Sequence, residues 1–133
     1  MSLTDHLPRV PKTCLIRAAA GSAAILIAIA SLSPQSPAIE TGFGDKLDHL
    51  LAYSVLSLLM AVGWPRWIPF GVVGVIIGFG GLLELLQTFS PGRQPDWADF
   101  AVNSLGALIG LAIALLIRRM WTTFARTSLP SAL

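Results

Sequence analysis

Charge is absent from four long stretches of the chain. Ala18 to Ile39 holds no charged residue over 22 positions, Leu50 to Pro65 over 16, Trp67 to Leu83 over 17 and Phe100 to Ile117 over 18. A helix crossing about 30 Å of hydrocarbon needs about 20 mostly apolar residues. The first stretch suffices alone. The others suffice if each helix runs on into a polar flank, at Asp45 to His49, Glu84 to Gln87 and Asp96 to Asp99. Helix is the economical state, because an unpaired backbone group in lipid is too costly. The pattern predicts an all-α, four-transmembrane-helix bundle in one membrane domain over residues 1–133. Its helices are expected at 18–39, 45–64, 68–89 and 96–119, between a basic tail at 1–17 and a C-terminal tail at 120–133.

Punctuation fits these limits. Pro34 and Pro37 mark the end of the first helix, Pro65 breaks the Trp64–Trp67 turn, and Ser90-Pro91-Gly92 closes the third helix. The first span has a second reading. Arg9, Lys12 and Arg17 precede an apolar run, and Ala28-Ile29-Ala30 resembles a cleavage site, so the segment also reads as a signal peptide. Basic residues set the orientation. Arg9, Lys12, Arg17, Arg66, Arg118, Arg119 and Arg126 fall on one side, and Lys46 and Arg93 on the other. Both termini are therefore expected in the cytoplasm.

Composition narrows the class. Hydrophobic residues make up 54% and charged residues 12%, and the mean hydropathy is +0.72. A soluble domain of this size cannot hide so much apolar surface. Disorder needs the opposite balance. The net charge of +2 follows from topology and from attraction to anionic lipid heads; no nucleic-acid partner is expected. The single Cys14 leaves no intrachain disulfide and no Cys-rich metal site.

The polar residues inside the spans carry the candidate chemistry. Asp45, His49 and Tyr53 are spaced i, i+4, i+8 on one helix face. Glu84 and Gln87 are i, i+3 neighbours near the end of the third helix. Asp96, Asp99 and Asn103 share a face of the fourth, and Arg93 lies in the loop before it. His49, Glu84 and Asp99 reach one depth, so Asp45, His49, Glu84, Arg93, Asp99 and Asn103 are expected around one cavity, since intramembrane charges avoid lipid. Each also has a plain structural role: first-turn acids for Asp45, Asp48, Asp96 and Asp99, packing for His49 and Tyr53, interhelical glue for Asn103. Glu84 is at the helix end where the dipole disfavours an anion, and Arg93 or His49 is its expected partner. Gly71, Gly74, Gly78 and Gly81, and Gly106-x-x-x-Gly110, read as helix-packing faces.

Together these residues resemble the VanZ-like family of small integral membrane proteins. The likeness rests on Asp45-Lys46-x-x-His49-x-x-x-Tyr53, then Glu84-x-x-Gln87, Pro91-Gly92-Arg93, Asp96, Asp99, Asn103, Gly106 and Gly110, over roughly residues 45–110. Leu50 departs from it, standing where the family often has an aromatic residue. The resemblance implies a multi-pass protein of the bacterial inner (cytoplasmic) membrane and cell envelope. The family's namesake is associated with resistance to the glycopeptide antibiotic teicoplanin.

Two functions are compatible with these residues. One is an enzyme, a transferase or hydrolase on a lipid-linked, phosphate-bearing envelope substrate. There His49, Glu84, Asp99 and Asp45 would be catalytic, with His49 the acid–base group. Lys46, Tyr53, Gln87, Arg93, Asp96 and Asn103 would bind substrate, with Arg93 and Lys46 holding the anion. A divalent metal on the carboxylates and His49 is compatible with this set, although no ligand spacing is diagnostic. The other is a non-catalytic scaffold that captures a lipid head group or a partner helix. The sequence leaves the oligomeric state open.

Overall fold

The structure, a computed structural model, describes residues 11–34, 44–67 and 69–127, the last three as backbone alone. Four helices follow in order: α1 (Lys12–Leu32), α2 (Asp45–Gly63), α3 (Pro69–Gln87) and α4 (Trp97–Thr127). All four are long and apolar enough to cross a membrane. No strand occurs among the described residues.

The limits differ from those expected at two helices. α1 begins six residues before Ala18 and takes in Arg17, since nothing after Pro11 breaks the helix. It ends at Leu32 because Ser33 precedes Pro34 and is extended, with ψ 137°. The expected continuation at 35–39 lies outside the described residues, as do Arg9 and Glu40. α4 runs eight residues past 119, because no Gly or Pro interrupts Met120–Thr127.

The helices alternate in direction. Arg17 near the start of α1 donates from Nε to Gly63 O at the end of α2, at 2.9 Å. Trp64, Pro69 and Arg118 meet at that same end. At the other end Gln87 Nε2 donates to Ser31 O and Ser90 Oγ to Leu32 O, tying α3 and its following turn to α1.

α2 and α4 form the spine. A Cβ at Gly106 would stand 2.6 Å from Leu50 O, and one at Gly110 would run into Ser54 O, so the backbones touch where only glycine fits. Ser57 Oγ adds a 2.7 Å bond to Ala107 O, with Ser57 fully buried. The core around this seam holds Tyr53, Leu56, Val72, Ile76 and Ala107. The expected glycine face of α3 is corrected. Gly71, Gly74 and Gly78 meet nothing within 4 Å, whereas Gly80 packs on the Tyr53 ring and Gly81 on Phe100. Of the expected four only Gly81 meets a neighbour; Gly71, Gly74 and Gly78 miss, because α3 presents its Val72, Ile76, Gly80, Leu83 side to the bundle. The outer surface is apolar, with Ile25, Leu26, Leu85 and Leu116 more than half exposed, as lipid-facing positions should be.

Candidate functional site

One end of the bundle gathers the acids. α2 starts after Gly44, whose φ of 82° suits glycine alone, and its first turns carry Asp45, Lys46, Asp48 and His49. α4 starts just after Asp96, whose Oδ1 accepts from Ala98 N at 2.8 Å while its backbone carbonyl accepts from Phe100 N. This is an N-cap. The Ala98 N–H, helped by Lys46, holds the Asp96 carboxyl below the usual carboxylate range.

Between these helix starts lies a charge network. Lys46 Nζ stands 3.2 Å from Asp99 Oδ1 and 3.4 Å from Asp96 Oδ2. His49 Nδ1 is 3.0 Å from Asn103 Oδ1, and its Nε2 is 3.7 Å from Asp45 Oδ1. With Asn103 Oδ1 as acceptor, Nδ1–H is the donor, and in the neutral imidazole Nε2 carries the lone pair. Asp45, His49 and Asp99 bring one ligand atom each within 4.8 Å of one another.

Arg93 closes the site from above α1. Ser90-Pro91-Gly92-Arg93 forms a turn with Arg93 N bonded to Ser90 O at 3.1 Å and Gly92 at φ 78°, the geometry that wants Pro then Gly in its centre. The guanidinium donates to Ala30 O (3.2 Å) and Ser33 O (3.3 Å) at the carbonyl end of α1, where a cation is favoured. A cavity of about 210 Å³ lies beneath, lined by α1 (Ile27, Ala30, Ser31), α2 (Asp45, Asp48, His49, Ala52, Tyr53) and Arg93.

The expected set therefore divides. Asp45, His49, Tyr53 and Arg93 line the cavity. Asn103 and Asp99 stand behind, the first on His49 and the second on Lys46. Glu84 and Gln87 lie outside it. Gln87, 3% exposed, is spent on the Ser31 carbonyl. Glu84 does not pair with Arg93. Its Oε2 accepts from Asp96 N at 3.1 Å, so its partner is the amide end of α4, where the helix dipole favours an anion. Arg93 was expected over the end of α3 and sits over the end of α1 instead. Both groups obey the dipole rule, each with a helix other than the expected one.

Sequence reasoning missed the α1 wall. Ala30 and Ser33 act through backbone carbonyls, which no side-chain pattern reveals. Ser33 and Ser90 were the available signal, since both donate to carbonyls at the end of α1.

The family relationship follows the same outline. No curated protein and no solved structure matches the chain. A model of the VanZ/LLP1 family matches residues 15–118, which extends the resemblance seen over 45–110 to include α1 and so every wall of the cavity. A match over most of the chain, taking in both polar blocks and reaching all four helices, makes this protein a member of the VanZ/LLP1 family.

Proposed function

We propose that this multi-pass membrane protein holds the phosphate-bearing head group of a lipid-linked cell-envelope molecule in the cavity between α1, α2 and Arg93. One observation carries the reading. Arg93 is fixed by two carbonyls of α1 and lines the cavity while keeping further N–H groups. A guanidinium offers five donors and suits phosphate oxygens. Across from it, Asp45 and His49 accept or exchange protons with a sugar or hydroxyl portion of the ligand. The apolar outer face of the helices leaves the lipid tail in the bilayer. Lys46 contributes less than expected, because Asp96 and Asp99 already occupy it.

The test is binding of a polyprenyl phosphate to the protein in nanodiscs. The intact chain should bind it, and Arg93→Ala should weaken binding tenfold or more. Equal binding by the two proteins would overturn the reading. A chemical role for the site is favoured by the geometry of His49, whose Nε2 faces away from Asn103 and can take either a proton or a metal ion. Turnover of a lipid-linked phosphate that disappears in His49→Ala, with binding retained, would make the protein a transferase or hydrolase. Retained function in His49→Ala would make it a scaffold. A link to teicoplanin resistance is a proposal from the family alone, tested by the susceptibility of cells with and without the gene.

A further inference from the structure

The end of the bundle that holds the cavity is short of positive charge. Among the described residues, Asp45, Asp48, Glu84, Asp96 and Asp99 gather there against Lys46 and Arg93. His49 and Asp99 are mostly withdrawn from solvent, with side chains 13% and 14% exposed. Anions held out of water need compensation, and Lys46, 58% exposed at its side chain, supplies it to Asp99 only from the surface.

We propose that Asp45, His49 and Asp99 form a binding site for a divalent cation of the zinc type. The ligand atoms come from two helices. α2 gives Asp45 and His49 at i and i+4, and α4 gives Asp99. The 3.7 Å gap from His49 Nε2 to Asp45 Oδ1 is too long for a hydrogen bond. It is close to the roughly 3–3.5 Å that separates two ligands each about 2.0–2.2 Å from one zinc ion. Asp45, with its side chain 72% exposed, is free to swing the remaining distance.

A second observation lies outside the ligand set. Buried Asn103, 2% exposed, accepts a hydrogen bond from the Nδ1–H of His49 and so aims Nε2 at Asp45, the outer support that metal-binding histidines use. A third is the cavity itself. Asp45 and His49 open onto it. Three protein ligands leave coordination positions for water or for an oxygen of a bound anion. Lys46 plays the competitor, since its ammonium sits on Asp99 at 3.2 Å and must shift toward Asp96 when the ion enters. An imidazole ligand favours zinc over manganese, and both over magnesium, which prefers an all-oxygen shell.

The site rests on this chain's own side chains and not on the head-group reading, and its test keeps the two apart. Tag-free, EDTA-stripped protein in nanodiscs is titrated with Zn²⁺, Mn²⁺ and Mg²⁺ by calorimetry, with thermal unfolding in parallel. One Zn²⁺ per chain should bind at micromolar affinity or tighter and raise the unfolding temperature, with Mn²⁺ weaker and Mg²⁺ weakest. Asp45→Asn and Asp99→Asn should each weaken Zn²⁺ at least tenfold, Asn103→Ala by about 10–100-fold, and Lys46→Met should strengthen it. Arg93→Ala should lose polyprenyl phosphate and keep Zn²⁺. If His49→Ala fails to fold, the exposed Asp45→Asn carries the test. Absence of a saturable Zn²⁺ site, Zn²⁺ binding unchanged in both aspartate variants, or Mg²⁺ binding as tight as Zn²⁺ would overturn the proposal. Loss of polyprenyl phosphate binding by the intact protein, with Zn²⁺ retained, would sink the head-group reading alone.

Discussion

The two ends of the bundle use similar parts for different ends. At one, Arg17 bonds to the last carbonyl of α2 and stacks over Trp64, its Cζ 5.1 Å from the ring centroid. At the other, Arg93 bonds to the last carbonyls of α1. Each is an arginine covering a helix C-terminus. The difference lies in what surrounds them. Around Arg17 the space is filled by Trp64 and Ile16, and a Cβ added at Gly63 would press on both α1 side chains there. Beneath Arg93 there is a cavity edged by acids. A cation over a helix end is thus a fastening where the space is packed, and on the proposed reading it is a recognition element where the space is open.

The largest effect should come from the seam that serves both ends. Gly110→Leu places a side chain against the Ser54 carbonyl, and it should cost about 3 kcal/mol or more, enough to abolish folding. Gly74→Leu, in open space, should be tolerated. Membrane yield and thermal unfolding of the two variants check this, and equal behaviour would mean that the α2–α4 contact is not the spine. Next come the two arginines. Arg17→Ala loses an exposed cation–π contact and a hydrogen bond, about 1 kcal/mol together, with head-group binding intact. Arg93→Ala should cost a similar amount of stability and also lose binding. If both variants bind alike, the contrast between the ends fails.

Smaller effects sharpen the acidic end. Asp96 is held below its ordinary pKa by the Ala98 N–H and by Lys46, so its contribution to stability is full above the unfolded value near ~3.9. It is lost as pH falls through the lower folded value. Asp96→Asn keeps a capping oxygen and removes that acid-range slope, which unfolding curves between neutral pH and strongly acid pH would show. A small effect is expected from Lys46→Met, because the ammonium stands at the surface; it should arise from Asp99, which is mostly withdrawn from solvent, more than from exposed Asp96. Orientation has its own check. A reporter fused after residue 133 should be active in the cytoplasm if the basic end faces inward.

Much of this was legible in the chain. Four charge-free stretches gave four helices, because spanning lipid leaves the backbone no other economical state. Asp45, His49 and Tyr53 share a face because the spacing requires it. The Gly106–Gly110 pair was legible for the same reason. Long-range pairing was not. Glu84 and Arg93 each sit nine residues apart in sequence, near enough to suggest one ion pair. Yet each is closer in space to the end of a different helix, and only the packing of α1 and α4 decides which. Gly71, Gly74 and Gly78 misled because spacing identifies a stripe and says nothing of which stripe faces inward. α1 was undervalued because its contribution is made by carbonyls.

The Ser57–Ala107 bond has a consequence for the order of synthesis. Its partners are 50 residues apart, with α3 between them. At roughly 5–20 residues per second, α2 waits about 3–10 seconds before the matching stretch of α4 is made. During that interval Ser54 is satisfied within its own helix by Leu50 O. Ser57 bonds across to α4, as does His49, so neither has its final partner until the last helix arrives. Nascent α2 therefore lacks two of its cross-helix partners until α4 is made, and a chain cut before Asn103 should be less stable in the bilayer than a chain that includes Gly110.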